Sequence, residues 1–107
     1  MERRIPEFGR FAEPSLLILV SLSDGPKHGY AIMQDVEQGS GRPMGAGTLY
    51  AALARLEEAG LIEPLAPVER RRPYQLTAVG AASLAEQLKG LSAFAQMGLR
   101  QLGETRR

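Results

Sequence analysis

Gly45-Ala-Gly-Thr-Leu-Tyr-Ala-Ala-Leu-Ala-Arg-Leu-Glu-Glu-Ala-Gly60 reads as one short helix with two unlike faces. Leu49, Ala52, Leu53 and Leu56 recur at spacings of three and four and form a single apolar stripe. The opposite side carries Gly47, Thr48, Tyr50, Ala51, Ala54 and Arg55, with the acids held back to Glu57 and Glu58. Such a face is small, hydroxyl-bearing and lightly basic, unlike an ordinary solvated face of Lys and Glu. Two readings fit: a core helix with a thin exposed side, or a helix shaped to lie in the major groove of DNA. The helix is expected to open around Gly47 or Thr48, with the Thr48 hydroxyl as its cap, and to stop at Gly60.

Upstream, Pro14 suits the first turn of a helix. Leu16, Leu17, Leu19, Val20 and Leu22 follow, apolar on nearly every side, as in a helix buried between the core and a second subunit. Ser23-Asp24-Gly25-Pro26 stops that helix. A second helix is expected from about His28 to Gln38, with Ile32, Met33 and Val36 on one side and Gly39-Ser-Gly41 at its end. His28 reads as a surface or locally hydrogen-bonded residue. Tyr30 is either core or a hydroxyl placed on a phosphate beside a helix N-terminus. Arg42-Pro43-Met44 is a short connector. Residues 1–13 read as a tail packed by Phe8 and Phe11 or as a basic arm of Arg3, Arg4 and Arg10.

Downstream, Leu61-Ile62 begins a strand, and the chain to Leu76 reads as a two-stranded hairpin. Pro64, Pro67 and Pro73 assign both strands to edge or irregular positions. Its tip holds Arg70, Arg71 and Arg72, which is either a solvated turn or a phosphate-facing wing; consecutive side chains point to different sides, so not all three are expected on one ligand. Thr77 is the expected cap of a last helix from about Ala78 toward Leu102, with Gly103–Arg107 frayed. Leu84, Leu88, Leu91, Ala95, Gly98 and Leu102 make a short heptad seam, with Phe94, Met97 and Leu99 beside it. A long amphipathic helix leaving a small body cannot bury that surface alone, which points to a homodimer sealed through Leu16 and this seam.

The fold class is therefore mainly α with a small β-hairpin: a winged helix-turn-helix domain over residues 14–77, an arm before it at 1–13, and a dimerisation helix and tail at 78–107. The whole chain has 107 residues and a net charge of only +1. The windows Gln38–Leu56 and Pro64–Ala85 each carry +2, which leaves −3 on the remainder. Positive charge is thus concentrated where a phosphate-facing surface needs it. With no cysteine and one histidine, thiolate and His-cluster metal sites are excluded, and neither a metal nor a cofactor is expected. The longest apolar run, Leu16–Val20, is too short to span a bilayer, and the N-terminus lacks a secretory signal, so a soluble cytoplasmic protein is expected.

Three segments carry a more specific resemblance: Leu17-Ile-Leu-Val-Ser-Leu-Ser-Asp-Gly-Pro-Lys-His-Gly-Tyr30, Gly47-Thr-Leu-Tyr-Ala-Ala-Leu-Ala-Arg-Leu-Glu-Glu-Ala-Gly-Leu-Ile62 and Arg71-Arg-Pro-Tyr-Gln-Leu-Thr-Ala-Val-Gly80. In this order and spacing they resemble the PadR-like transcriptional regulators over roughly Pro14 to Leu91, and the short C-terminal helix is similar to the smaller subfamily. The resemblance implies a homodimeric cytoplasmic repressor whose C-terminal helices cross at the dimer interface, with the first helix packed against them. In some relatives a hydrophobic pore there takes aromatic compounds, often stacked on a Trp. This chain has no Trp and places Phe94 and Met97 in that stretch, as a possible pocket for a small hydrophobic or aromatic effector. Ala46 stands where the family commonly has Pro.

The expected activity is binding of a palindromic operator in double-stranded DNA, two third helices entering successive major grooves about 34–36 Å apart. Tyr30, Thr48, Tyr50, Ala51, Arg55, Arg70, Arg71 and Arg72 are the expected DNA contacts. Arg55 alone suits the bidentate guanine contact; Thr48 and Tyr50 suit phosphates; the three wing arginines suit backbone or minor groove. The competing reading is a winged-helix module that binds protein rather than DNA. An enzyme is not expected: the acids are scattered, His28 has no partner, and no glycine-rich phosphate loop follows a strand.

Overall fold

In the computed structural model, the described residues are 14–105; the N-terminal arm and the last two residues lie outside them. The order is α1 (Pro14–Ser21), a 3₁₀ turn (Leu22–Asp24), β1 (Lys27–His28), α2 (Gly29–Ser40), α3 (Ala46–Glu58), β2 (Ile62–Pro64), β3 (Pro73–Leu76) and α4 (Ala78–Thr105). Three short helices and a small antiparallel sheet form the body, from which α4 extends. At 1.5 Å per residue its 28 residues run about 42 Å, and the molecule measures 57 × 34 × 20 Å. This is a winged-helix architecture, mostly helical, as the residue pattern predicts.

The core is built from one stripe of each helix. Ile18, Leu19 and Leu22 meet Ile32 and Val36 from α2 and Leu49, Ala52, Leu53 and Leu56 from α3, closed by Ile62 and Leu84. Each fully buried Leu or Ile contributes roughly 1.5–3 kcal/mol relative to an exposed one. The α3 stripe is the one its periodicity marks. Ser21 is the buried polar side chain of this region, and its hydroxyl donates to Asp35 Oδ2 at 2.7 Å. Lys27 ties the same corner together: its ammonium donates to the Ser21 carbonyl and the Asp24 carboxylate and lies 3.5 Å from Asp35 Oδ2.

Several local expectations are corrected. The sheet has three strands in the order β1-β3-β2, not two. Lys27 pairs with Tyr74 and His28 with Pro73, which makes β3 the central strand. Pro73 is tolerated there because it is the strand's first residue. Helix α3 opens at Ala46 on a Gly45 N-cap with no side-chain hydrogen bond. Thr48 is thus already inside the first turn and does not cap. Helix α4 continues through Gly103 to Thr105. Leu84 is 4% exposed and belongs to the core of the single chain, so the open part of the seam begins at Leu88.

The exit from β3 is set by Thr77 and Gly80 against the carbonyls of Gly60 and Leu61. The Thr77 N–H donates to the Leu61 carbonyl at 3.0 Å and its hydroxyl donates to the Gly60 carbonyl at 2.7 Å. The same hydroxyl oxygen accepts from Gly80 N–H at 2.9 Å, the expected N-cap. Gly80 packs directly on the Leu61 carbonyl: a Cβ there would lie on the oxygen and 2.8 Å from the carbon. That close approach fixes the angle at which α4 leaves the body.

Candidate nucleic-acid interface

Helix α3 turns Gly47, Thr48, Tyr50, Ala51, Ala54 and Arg55 outward, all exposed. Across from its N-terminal half stands the wing, the β2–β3 connection. Val68 and Arg71 exchange both backbone hydrogen bonds, at 2.7 and 2.9 Å, around Glu69 and Arg70. Both central residues have positive φ, +51° and +69°. This mirror-image turn matches strand twist but favours Asn-Gly rather than Glu-Arg. The Arg72 guanidinium donates to the Leu65 carbonyl at 3.0 Å and braces the wing from within.

Between wing and helices lies a cleft of about 350 Å³, lined by His28, Gly29, Tyr30, Tyr50, Tyr74 and the three wing arginines. It brings together five of the expected contact residues, Tyr30, Tyr50, Arg70, Arg71 and Arg72. Thr48, Ala51 and Arg55 stand outside it on the open face of α3. All three arginines contribute to one cavity, although their side chains diverge as expected: Arg71 reaches toward His28 and Arg72 toward Leu65. Tyr30 and Tyr50 are each more than half exposed, so neither is a core residue. Among the described residues no carboxylate lines the cleft.

His28 is locally hydrogen-bonded, as its sequence reading allows, and Gly29 has a role that the sequence did not disclose. His28 is the N-cap of α2, its Nδ1 accepting from Ala31 N–H at 3.4 Å, while a guanidinium nitrogen of Arg71 lies 3.1 Å from its Nε2. Gly29 is buried, and a Cβ on it would meet Leu49 Cδ2 at 3.1 Å and the Tyr50 hydroxyl at 2.5 Å. The missing side chain therefore lets Tyr50 lie over the start of α2. The adjacency of His28, Gly29 and Tyr30 was the available signal; its meaning depends on Tyr50 and Arg71, which only the fold brings near.

Among the described residues no group of three or more His, Cys, Asp or Glu side chains is placed to hold a metal, and no helix is long and apolar enough to cross a membrane. The arrangement offers hydroxyls, guanidinium groups and a helix N-terminus, which are donors for an anion.

Comparison with known proteins identifies relatives in sequence and fold. The sequence profile of the transcriptional regulator PadR-like family matches residues 18–86. The chain is 43% identical over 83 residues to an uncharacterized 37.1 kDa protein from a Streptomyces fradiae transposon. That stretch is 78% of this chain and 24% of the relative, so the chain spans about a quarter of the curated protein it matches. A PadR family transcription regulator from hypervirulent Clostridium difficile superposes with a TM-score of 0.72 at 29% identity, over 85% of this chain and 98% of that one. A transcriptional regulator from Clostridium thermocellum shares the fold, with a TM-score of 0.74 at 24% identity over 91% and 97% of the two chains.

Proposed function

We propose that this chain, which belongs to the PadR-like family of transcriptional regulators, is a homodimeric repressor that binds a palindromic operator in double-stranded DNA. The family is one of regulators rather than enzymes. The observation that carries the reading is the placement of the bare, exposed face of α3 beside a cleft walled by Arg70, Arg71 and Arg72 and, among the described residues, without an acid. Ala51 and Ala54 let the α3 backbone approach the major-groove floor, and Arg55 reads a guanine edge, worth roughly 1–3 kcal/mol of discrimination. Thr48 and the cleft residues hold phosphates, which set position rather than sequence.

The second copy is joined through residues 78–107. Leu88, Leu91, Ala95 and Leu102 are exposed along the outer length of α4, and Phe94 and Met97 lie exposed beside them. Packing against a partner's α4 and against Leu16 of its α1 covers this surface, while residues 14–77 form the DNA-binding unit. A small hydrophobic or aromatic effector held near Phe94 and Met97 changes the spacing of the two α3 helices and releases the operator. A regulator of this kind works in the cytoplasm, where the DNA is.

The test is a gel shift on a palindromic site from the protein's own upstream region, at two salt concentrations. Retardation that weakens steeply with salt is expected, because phosphate contacts release counterions. An Arg71→Ala/Arg72→Ala variant is expected to show a smaller salt slope. A wild-type chain that retards no duplex sinks the reading.

A further inference from the structure

Hydrogen-bonding capacity in the cleft is unbalanced. Arg71 and Ala31 N–H both present donors to His28, at 3.1 and 3.4 Å. A neutral imidazole has a single acceptor nitrogen, so the ring satisfies the guanidinium or the helix cap but not both. Around it stand Arg70, Arg72, Tyr30, Tyr50 and Tyr74, and the opening turn of α2. The first N–H groups of a helix have no intrahelical acceptor, and the dipole there favours negative charge. Among the described residues that line it there is no carboxylate, so its three guanidinium groups meet no anionic acceptor there.

Position narrows what can supply the acceptor. Tyr50 is anchored over Gly29, Arg71 is held at His28, and Tyr30 follows directly, so the three groups converge on one helix turn from three elements. The cleft opens between the wing and the exposed face of α3, the surface expected to meet the duplex. Its polar lining does not resemble the mostly apolar pockets that hold small organic ligands.

We propose that this cleft seats one backbone phosphate of the bound duplex in each half-site, gripped jointly by Tyr30, Tyr50 and Arg71, with His28 as the positioning residue for Arg71. The proposal rests on the DNA-binding reading and goes beyond it: wing and helix contacts expected at separate phosphates become one clamp. A guanidinium has five N–H donors, so Arg71 keeps one on His28 Nε2 and presents others to the phosphate. Seating the phosphate thereby links the wing to the helix pair and fixes the angle at which α3 enters the groove.

The test uses the full chain and a duplex selected by the wild type from a random pool, remade with a neutral methylphosphonate at each backbone position in turn. In the wild type one position per half-site is expected to stand out, with a loss of about tenfold or more, the order of a charge-assisted hydrogen bond. Tyr30→Phe, Tyr50→Phe and Arg71→Ala are each expected to bind more weakly and to show less than about a twofold further loss at that same position, because groups on one ligand are not additive. His28→Asn, which keeps a capping side chain, is expected to shrink the loss at that position and at no other. Variants that lose sensitivity at three different phosphates, or keep the full loss at every one, overturn the clamp while leaving DNA binding intact. A wild-type chain that selects no duplex overturns the DNA-binding reading, and the clamp with it.

Discussion

His28 Nε2 lies 3.1 Å from a guanidinium nitrogen of Arg71, 43 residues further along the chain. One imidazole therefore lies within reach of both the tip of the wing and the first turn of α2, at whose N-cap position it sits. The two roles separate by substitution. His28→Ala removes both, and loss of a side-chain cap costs about 1 kcal/mol, toward the lower end here because the bond is long at 3.4 Å. His28→Asn restores a cap but leaves Arg71 unheld. Urea unfolding is expected to rank Asn above Ala, while fluorescence anisotropy with operator DNA is expected to find both weakened. Equal stability for the two variants removes the cap from this account.

Gly80 and Gly90 lie in the same helix and are expected to respond oppositely to alanine. At Gly80 the added Cβ runs into the backbone carbonyl of Leu61, which Thr77 already holds in place. Backbone cannot yield as a rotamer can, so Gly80→Ala is expected to destabilise by about 3 kcal/mol or more and to lower expression of soluble protein. Among the described residues nothing lies within 4 Å of a Cβ at Gly90, and there Ala gains roughly 1 kcal/mol of helix propensity. Thermal melts of the two variants check the contrast. A Gly80→Ala protein that melts like wild type means α4 leaves the body at another angle.

How much of this was readable beforehand depended on the range of the interaction. The α3 stripe was legible because Leu49, Ala52, Leu53 and Leu56 repeat at the helical period and really are buried. Thr77 was legible because a cap acts within one turn. Strand β1 was not: Lys27-His28 is too short to show a period, and its partners Tyr74 and Pro73 are distant in sequence. Gly29 looked like part of a motif, yet its reason is the Tyr50 ring from another helix. Leu84 fitted the heptad seam in spacing but packs inward, since α4 must first attach to the body. Thr48 looked like a cap because its hydroxyl is a good one; Gly45 starts the helix earlier at a position no side chain marks.

Glu69 and Arg70 form a turn that their residue types resist. Positive φ costs an L-residue other than Gly, Asn or Asp on the order of 1–2 kcal/mol. Glu69→Asn keeps the three arginines and suits the turn better, so it is expected to stabilise by about 0.5–1 kcal/mol and to protect the Val68 and Arg71 amides from hydrogen exchange. Operator affinity is expected to hold or rise slightly, since the wing is pre-ordered. A destabilised Glu69→Asn protein rules out turn strain as the property of this tip.

The Asp24 carboxyl has its pKa lowered below the ordinary value by the hydrogen bond from Lys27 and then by its charge. A depressed folded-state value means stability present above the unfolded pKa, near about 3.9, and lost as pH falls through the folded one. Because Asp24 is exposed, the effect is small and screened by salt. Asp24→Asn is expected to be slightly less stable than wild type at neutral pH and to match it at low pH, which flattens the acid limb below about pH 4. Lys27→Met is expected to cost more at neutral pH, because Lys27 also serves the Ser21 carbonyl and Asp35. An acid limb identical in wild type and Asp24→Asn contradicts the pairing.

The open seam of α4 makes the sharpest claim about assembly. Leu91 is 51% and Leu102 60% exposed on a helix that extends beyond the body, whereas Leu84 is sealed inside it. Leu16 sits between two hollows on α1, one shared with Leu56, Leu61 and Gln87 and one with Val20 and Val36. If a second copy covers the seam, Leu91→Lys and Leu102→Lys each bury a charge at the interface. They are expected to shift the protein from dimer to folded monomer by light scattering, with far-ultraviolet helicity largely kept. Leu84→Lys acts on the core of the single chain and is expected to unfold it. Gly98 separates the cases further: among the described residues nothing lies within 4 Å of an added Cβ, so Gly98→Leu is expected to keep the monomer folded and to weaken a close helix crossing. A dimer that survives Leu91→Lys, Leu102→Lys and Gly98→Leu together is held by some other surface, and the two α3 helices then need a different spacing on DNA.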